Sequence, residues 1–178
     1  RMLTTIIPHS LNFLQINLFR LWDNFLSKGD CFMQLLSNVA ERLKDLMSEA
    51  DIKTPKLAEA LSMEQSVISK FLRAERLPSI NTLVLLADYF HCTTDYLLGE
   101  SDILDERIYK PRPPFHERLC FLLDHFHTTK YALSKKTNIS EETISRWQKG
   151  IYEPNIESLI RLAKYFACSV DYILGRES

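Results

Sequence analysis

Residues Leu57 to Pro78 read LAEALSMEQSVISKFLRAERLP, and Leu133 to Pro154 read LSKKTNISEETISRWQKGIYEP. Both stretches spell two short helices joined by a tight turn. Leu57 and Leu61 stand four apart and share one helical face; Ile68 and Phe71, three apart, share a face of the next helix. Their counterparts are Leu133, Ile144 and Trp147, and the turn residues between the helices are Ser62 and Asn138. The outer slots of the second helix hold short polar groups and one cation: Gln65, Ser66 and Lys70, or Glu141, Glu142 and Arg146.

Working outward, the likeness spreads to whole domains. A shift of 76 places aligns Glu41-Arg42-Leu43 with Glu117-Arg118-Leu119, Pro78 with Pro154 and Asp95-Tyr96 with Asp171-Tyr172, without a gap. A period this long that occurs twice indicates a duplicated domain, not a solenoid. Each copy has about 64 residues, enough for a small core of tightly packed helices. The expected division is an N-terminal extension at 1–34, a first domain at 35–99, a Pro-containing linker at 100–114 and a second domain at 115–178.

Composition bounds the function. The 178-residue chain has a net charge of −1, which exerts no overall pull on nucleic acid. By segment, Ser37 to Glu100 holds seven Lys or Arg against ten Asp or Glu, a net of −3; Phe115 to Ser178 holds nine against eight, a net of +1. Neither copy carries a strongly basic field. Cys31, Cys92, Cys120 and Cys168 form no CxxC pair and no zinc-ligand spacing. Cys92 and Cys168 share one repeat position and read as small core residues of a reducing, cytoplasmic compartment. His125 and His127 read as surface or packing residues, so no metal and no cofactor is expected. No GxSxG, HExxH or Walker loop is present, and the chain has four glycines, too few for phosphate-cradling loops. An enzyme and a small-molecule substrate are both unsupported.

Residues 1 to 32 stand apart. Pro8, His9, Asn12, Gln15, Asn17, Arg20 and Asp23 interrupt the apolar run, so no membrane helix is expected. It lacks the parts of a signal peptide. Two readings stay open. One is an amphipathic helix from Leu11 to Leu26. The other is that the segment is not native, or is disordered: Lys28-Gly29-Asp30 can be encoded as a bacterial ribosome-binding sequence, and Met33 follows at start-codon spacing.

From there the caps set the pattern. Ser37 is expected to open the first domain. Thr54 caps a second helix with Pro55 at its first position. A third helix spans Gln65 to Leu72, Ser79 precedes a fourth, and Thr93 caps a fifth that Gly99 ends. In the second copy Thr128 or Thr129, then Ser140, Asn155 and Ser169 cap the equivalent helices, and Gly175 ends the last. Pro111, Pro113 and Pro114 stiffen the linker, which at roughly 3 Å per residue reaches about 45 Å.

The pattern LA-x-x-L-x-x-x-x-S-x-IS at Leu57 to Ser69, followed by an apolar residue, a short basic loop and Pro78, resembles the helix-turn-helix family of phage repressors and Cro-like regulators. In such a pair the first helix braces the second, whose N-terminal side chains meet the major groove. The resemblance implies an all-α fold: two tandem five-helix, lambda-repressor-like domains. It implies a sequence-specific transcriptional regulator of repressor type, of bacterial or phage origin, with double-stranded DNA as partner and a homodimer as a frequent assembly.

Carried over residue by residue, base reading falls on Gln65, Ser66, Val67 and Lys70, and on Glu141, Glu142, Thr143 and Arg146. Gln pairs with adenine, Lys or Arg with guanine, Glu with the cytosine amine, and Val or the Thr methyl with the thymine methyl. Phosphate contacts fall on Thr54, Lys56, Arg73 and Arg76, then on Lys130, Lys149 and Tyr152, with Lys135 and Lys136 adding charge nearby. For Glu141 and Glu142 the alternative is that they complement the helix dipole. Two alternatives of function remain: a protein-interaction or dimerisation module in which the first domain no longer binds DNA, and an antitoxin-like regulator.

Overall fold

A computed structural model describes residues 13–104 and 109–177, with side chains described from residue 32 onward apart from 105–108 and 178. The described backbone is all α-helix and turn, in the order α1 (Phe13–Glu49), α2 (Thr54–Ala60), α3 (Gln65–Leu72), α4 (Ile80–Tyr89), α5 (Thr94–Leu98), α6 (Phe115–His125), α7 (Lys130–Thr137), α8 (Glu141–Gln148), α9 (Ile156–Phe166) and α10 (Val170–Ile173). Two compact units emerge, residues 1–34 and residues 35–178. Within the second, the five-helix plan occurs twice, as two tandem repressor-like domains. Of the expected helix from Leu11 to Leu26, Leu11 and Asn12 lie outside the described residues, as do the linker positions 105–108. Among the described residues, no helix is long and apolar enough to cross a membrane.

Two expected caps are corrected. Ser37 does not open a helix: α1 runs through it without a break. Thr54 is not a cap either. Lys53 is, with extended backbone (φ −91°, ψ 155°), and Thr54 and Pro55 occupy the first helical turn. Proline tolerates either early position because the N–H it lacks has no intrahelical partner there. Elsewhere the cap chemistry holds. Ser79, Thr93, Thr129, Ser140, Asn155 and Ser169 each accept a first-turn N–H of α4, α5, α7, α8, α9 and α10.

The duplication is preserved in the backbone. Left-handed residues follow successive helices as pairs 76 apart: Asp51 and His127, Ser62 and Asn138, Ala74 and Gly150, His91 and Ala167, Gly99 and Gly175. Such a residue lets the chain leave a helix with its last carbonyls satisfied. Glycine is required at the last pair. A Cβ on Gly99 would fall 2.5 Å from the Asn38 amide nitrogen, and one on Gly175 would fall 2.9 Å from Pro113. In both copies an arginine of the first helix lies over the tyrosine of the fifth, Arg42 on Tyr96 at 4.5 Å and Arg118 on Tyr172 at 4.7 Å.

The apolar faces meet inward as the helical spacing predicts. Val39, Leu43, Leu46, Leu57, Ile68, Phe71, Leu83 and Leu86 are buried in the first copy, and Leu119, Leu122, Leu133, Ile144, Trp147, Leu159 and Leu162 in the second. All belong to one continuous cluster. The copies touch directly, α5 against α10. The linker does not hold them apart as an extended tether. Its Lys110 N–H donates to the Arg176 carbonyl at 3.1 Å, and the Arg112 guanidinium joins Glu153 at 2.8 and 2.9 Å and also bonds Asn81 of α4.

Candidate nucleic-acid interface

Each candidate reading helix is fixed from behind by two buried side chains. In α3 these are Ile68 and Phe71; in α8 they are Ile144 and Trp147. Helix α2 packs on α3, while α7 and α6 pack on α8. With 3.6 residues per turn, burying those positions turns Gln65, Ser66 and Lys70 outward in α3, and Glu141, Glu142 and Arg146 outward in α8. All six are exposed. Val67 and Thr143 are half-buried. Val67 leans on the core cluster, and the Thr143 hydroxyl lies 2.8 Å from that of the cap Ser140. Less of these two side chains is offered to a partner than of their neighbours.

Some of the outward groups already have partners. Arg146 Nη2 ion-pairs with Glu142 Oε1 at 2.6 Å, one turn back on the same helix. Glu142 therefore acts on Arg146 as well as on the helix dipole. Arg73, at the end of α3, pairs with Glu75 at 2.6 Å, and both are exposed. This hydrogen bond and the charge behind it raise the arginine pKa and lower that of Glu75. The arginine expected to meet phosphate thus has a carboxylate beside it. In the second copy the counterpart of Arg73 is Lys149, and that of Glu75 is the exposed Ile151. The second copy keeps its cation without the acid.

Lys130, the first residue of α7, reaches the Ser145 hydroxyl on α8 at 3.3 Å. That contact ties the head of the bracing helix to the reading helix. Lys56, Arg76, Lys149 and Tyr152 are exposed, and Thr54 is half-buried. The helical-period argument missed Tyr131 and Ile151, exposed at 57% and 64%. It asks which apolar residues face inward and is silent on those that do not. Lys135 Nζ lies 5.3 Å above the Tyr131 ring, so this aromatic follows Lys130 on the same exposed rim. Among the described residues, no cluster of His, Cys, Asp and Glu has the makings of a metal site.

The helix-turn-helix family matches at residues 55–97 and again at 122–173, together more than half of the chain. A similar curated protein is the HTH-type transcriptional regulator ImmR of Bacillus subtilis (strain 168), 30% identical over 66 residues, or 37% of this chain and 52% of that protein. The chain thus spans about half the length of that relative. A solved structure described as a transcriptional regulator from Listeria innocua is 28% identical, covering 40% of this chain and 64% of the other with a TM-score of 0.33. The matched segments run from α2 into α5 and from α6 to α10, each taking in a helix-turn-helix pair, and the chain belongs to the helix-turn-helix family.

Proposed function

We propose that the chain is a cytoplasmic transcriptional regulator of repressor type that binds double-stranded DNA sequence-specifically, with α3 and α8 as its two reading helices. Residues 35–99 and 115–178 are its two reading domains. The observation that carries this is the repeated register: in both copies an aliphatic and an aromatic residue anchor the helix while polar side chains fill the outward slots of its first turns. Base reading falls on Gln65, Ser66, Val67 and Lys70, and on Glu141, Glu142, Thr143 and Arg146. Phosphate contacts fall on Thr54, Lys56, Arg73 and Arg76, and on Lys130, Lys149 and Tyr152.

The test is selection of binding sites from random duplex DNA with the intact chain, followed by a salt titration on the selected site. Enrichment of one sequence, and an affinity that falls linearly with log salt, is the expected result. Absence of any enriched sequence overturns the proposal.

A second reading applies to the first copy alone. Its net charge is −3 and Arg73 is paired with Glu75, both of which weaken its field toward phosphate. On that reading the first copy serves mainly as a protein-pairing domain and the second carries most of the DNA affinity.

A further inference from the structure

The contact between the copies is built from equivalent positions on both sides. The N–H of Thr94, first residue of α5, donates to Asp171 Oδ2 at 2.8 Å. The N–H of Val170, first residue of α10, donates to the Asp95 carboxylate at 2.9 and 3.0 Å, and the Asp171 N–H adds a bond to it at 3.3 Å. Thr94 and Val170 are 76 apart, and so are Asp95 and Asp171. Each helix lends its carboxylate to the positive end of the other.

Around this exchange lies a pair of ion pairs with the same relationship. Arg176 pairs with Asp88, and Lys164 Nζ pairs with Glu100 Oε1 at 3.1 Å. Asp88 and Lys164 are counterparts under the same shift, as are Glu100 and Arg176. The two contacts are therefore one contact made twice, with both signs reversed. Were two first copies to pair in this way, Asp88 would face Glu100 on both sides. Were two second copies to pair, Lys164 would face Arg176. Each self-pairing sets like charges together, and only first-with-second matches them. The linker lies over the same contact: Lys110 bonds the Arg176 carbonyl, and Arg112 spans Asn81 and Glu153.

We infer that this chain contains its own dimer: the first copy pairs with the second copy of the same chain, and one chain engages DNA at a site of two unlike half-sites. The DNA half of this rests on the function proposed above. The unlikeness follows from the reading helices, where Gln65, Ser66 and Lys70 stand in one copy and Glu141, Glu142 and Arg146 in the other. Two such helices ask for different bases, so the preferred site is not self-complementary. Occupancy rises with chain concentration to the first power, with no prior association step.

The test replaces residues 105–108 of the full chain with a protease recognition sequence and follows mass by size exclusion with light scattering. The uncut chain is expected to be a monomer, and the two pieces are expected to travel together one to one after cleavage. Separation of the pieces, pairing of either piece with its own kind, or a dimeric uncut chain overturns the inference. The ion pairs are checked in the cut complex. Lys164→Glu should weaken association roughly tenfold, and adding Glu100→Lys should restore it; no rescue refutes the charge rule. For the DNA half, sites selected with the uncut chain should have two unlike halves and hold one chain per duplex. A self-complementary site filled by two chains overturns the one-chain unit. If nothing is enriched, the DNA-binding proposal and the half-site claim fall together, while the pairing is judged by the cleavage result alone.

Discussion

Asp95 and Asp171 occupy the same place in the two copies, and each carboxylate caps the helix that carries the other. Their surroundings differ. Asp171 is fully buried and ion-pairs with Arg176, which is buried too; Asp95 is half-buried and serves N–H groups. Removing Asp171 leaves the buried guanidinium with only the more exposed Asp88 as its acid. Asp171→Ala should therefore cost about 2–3 kcal/mol, the upper range of a lost hydrogen bond to a charged group, and Asp95→Ala about 1–2 kcal/mol, the range of a lost cap. Urea unfolding of both variants measures this. Equal losses would show that Asp88 alone compensates the Arg176 guanidinium.

The same burial predicts an unusual dependence on pH. Desolvation pushes the Asp171 carboxyl up to about 6 from an ordinary 3.8, while Arg176 and the Thr94 N–H pull it down and the Asp95 charge adds to the rise. A pKa higher in the folded chain than in the unfolded one means that the fold holds this proton more tightly. Its contribution to stability is fully present below about pH 4 and is lost as pH rises through about 6. Between pH 7 and pH 5 the wild type should gain about 1 kcal/mol over Asp171→Asn. Carboxyl NMR should place the midpoint near 6; a midpoint below 4 refutes the argument.

Phe71 and Trp147 are equivalent anchors, each 2% exposed, and truncating either to Ala should cost about 3–5 kcal/mol. Trp147→Phe should behave differently. The Trp147 ring stacks edge-on against Phe115 with centroids 6.1 Å apart, but its buried indole N–H has no acceptor. Phenylalanine loses ring volume and removes that unpaired donor, worth about 1–3 kcal/mol. The net change should stay within about 1 kcal/mol in thermal or urea unfolding. A loss near that of Trp147→Ala would mean that the N–H is satisfied in solution.

Much of this was legible in the sequence because the signals are local. Ser79, Thr93, Ser140, Asn155 and Ser169 each precede an apolar run at helical spacing, and each caps a helix. Ser37 carried the same signal and failed, since good helix formers on both sides let α1 continue through it. The interface between the copies left no local trace. Asp95 and Asp171 read as ordinary first-turn acids, and their partners lie 75 to 77 residues away. The inverted charges at 88, 100, 164 and 176 become meaningful only once α5 and α10 are known to meet. Ion pairs such as Arg73 with Glu75 were likewise invisible to a count of net charge.

That pair makes a comparison between the copies. Arg73 and Lys149 are counterparts, yet only Arg73 has an acid two residues on. On a selected site, Arg73→Ala should weaken binding less than Lys149→Ala, and Glu75→Ala should strengthen it. Measured at low salt, where surface charges are least screened, the reverse order would place the first copy as the stronger reader.

Arg146 is the sharpest test of base reading. It is exposed on α8, away from the buried Ile144 and Trp147, and its guanidinium is paired with Glu142 at 2.6 Å. On the proposed function, this arginine would meet guanine O6 and N7 with two hydrogen bonds, worth roughly 1–3 kcal/mol of discrimination. Glu142 steadies the guanidinium but also competes for it. Arg146→Ala should therefore relax preference at one base position and leave the fold intact, because the side chain is not part of the core. Lys149→Ala, just past the helix, should weaken binding to all sequences and lower the salt slope by about one unit. Glu142→Ala should raise affinity for every sequence, having removed a carboxylate from the surface proposed to meet DNA, and blur the preference proposed for Arg146. Competition binding against a panel of single-base variants separates these outcomes. If Arg146→Ala weakens all sequences equally, the arginine contacts phosphate only. If none of the three changes affects binding, α8 does not face DNA.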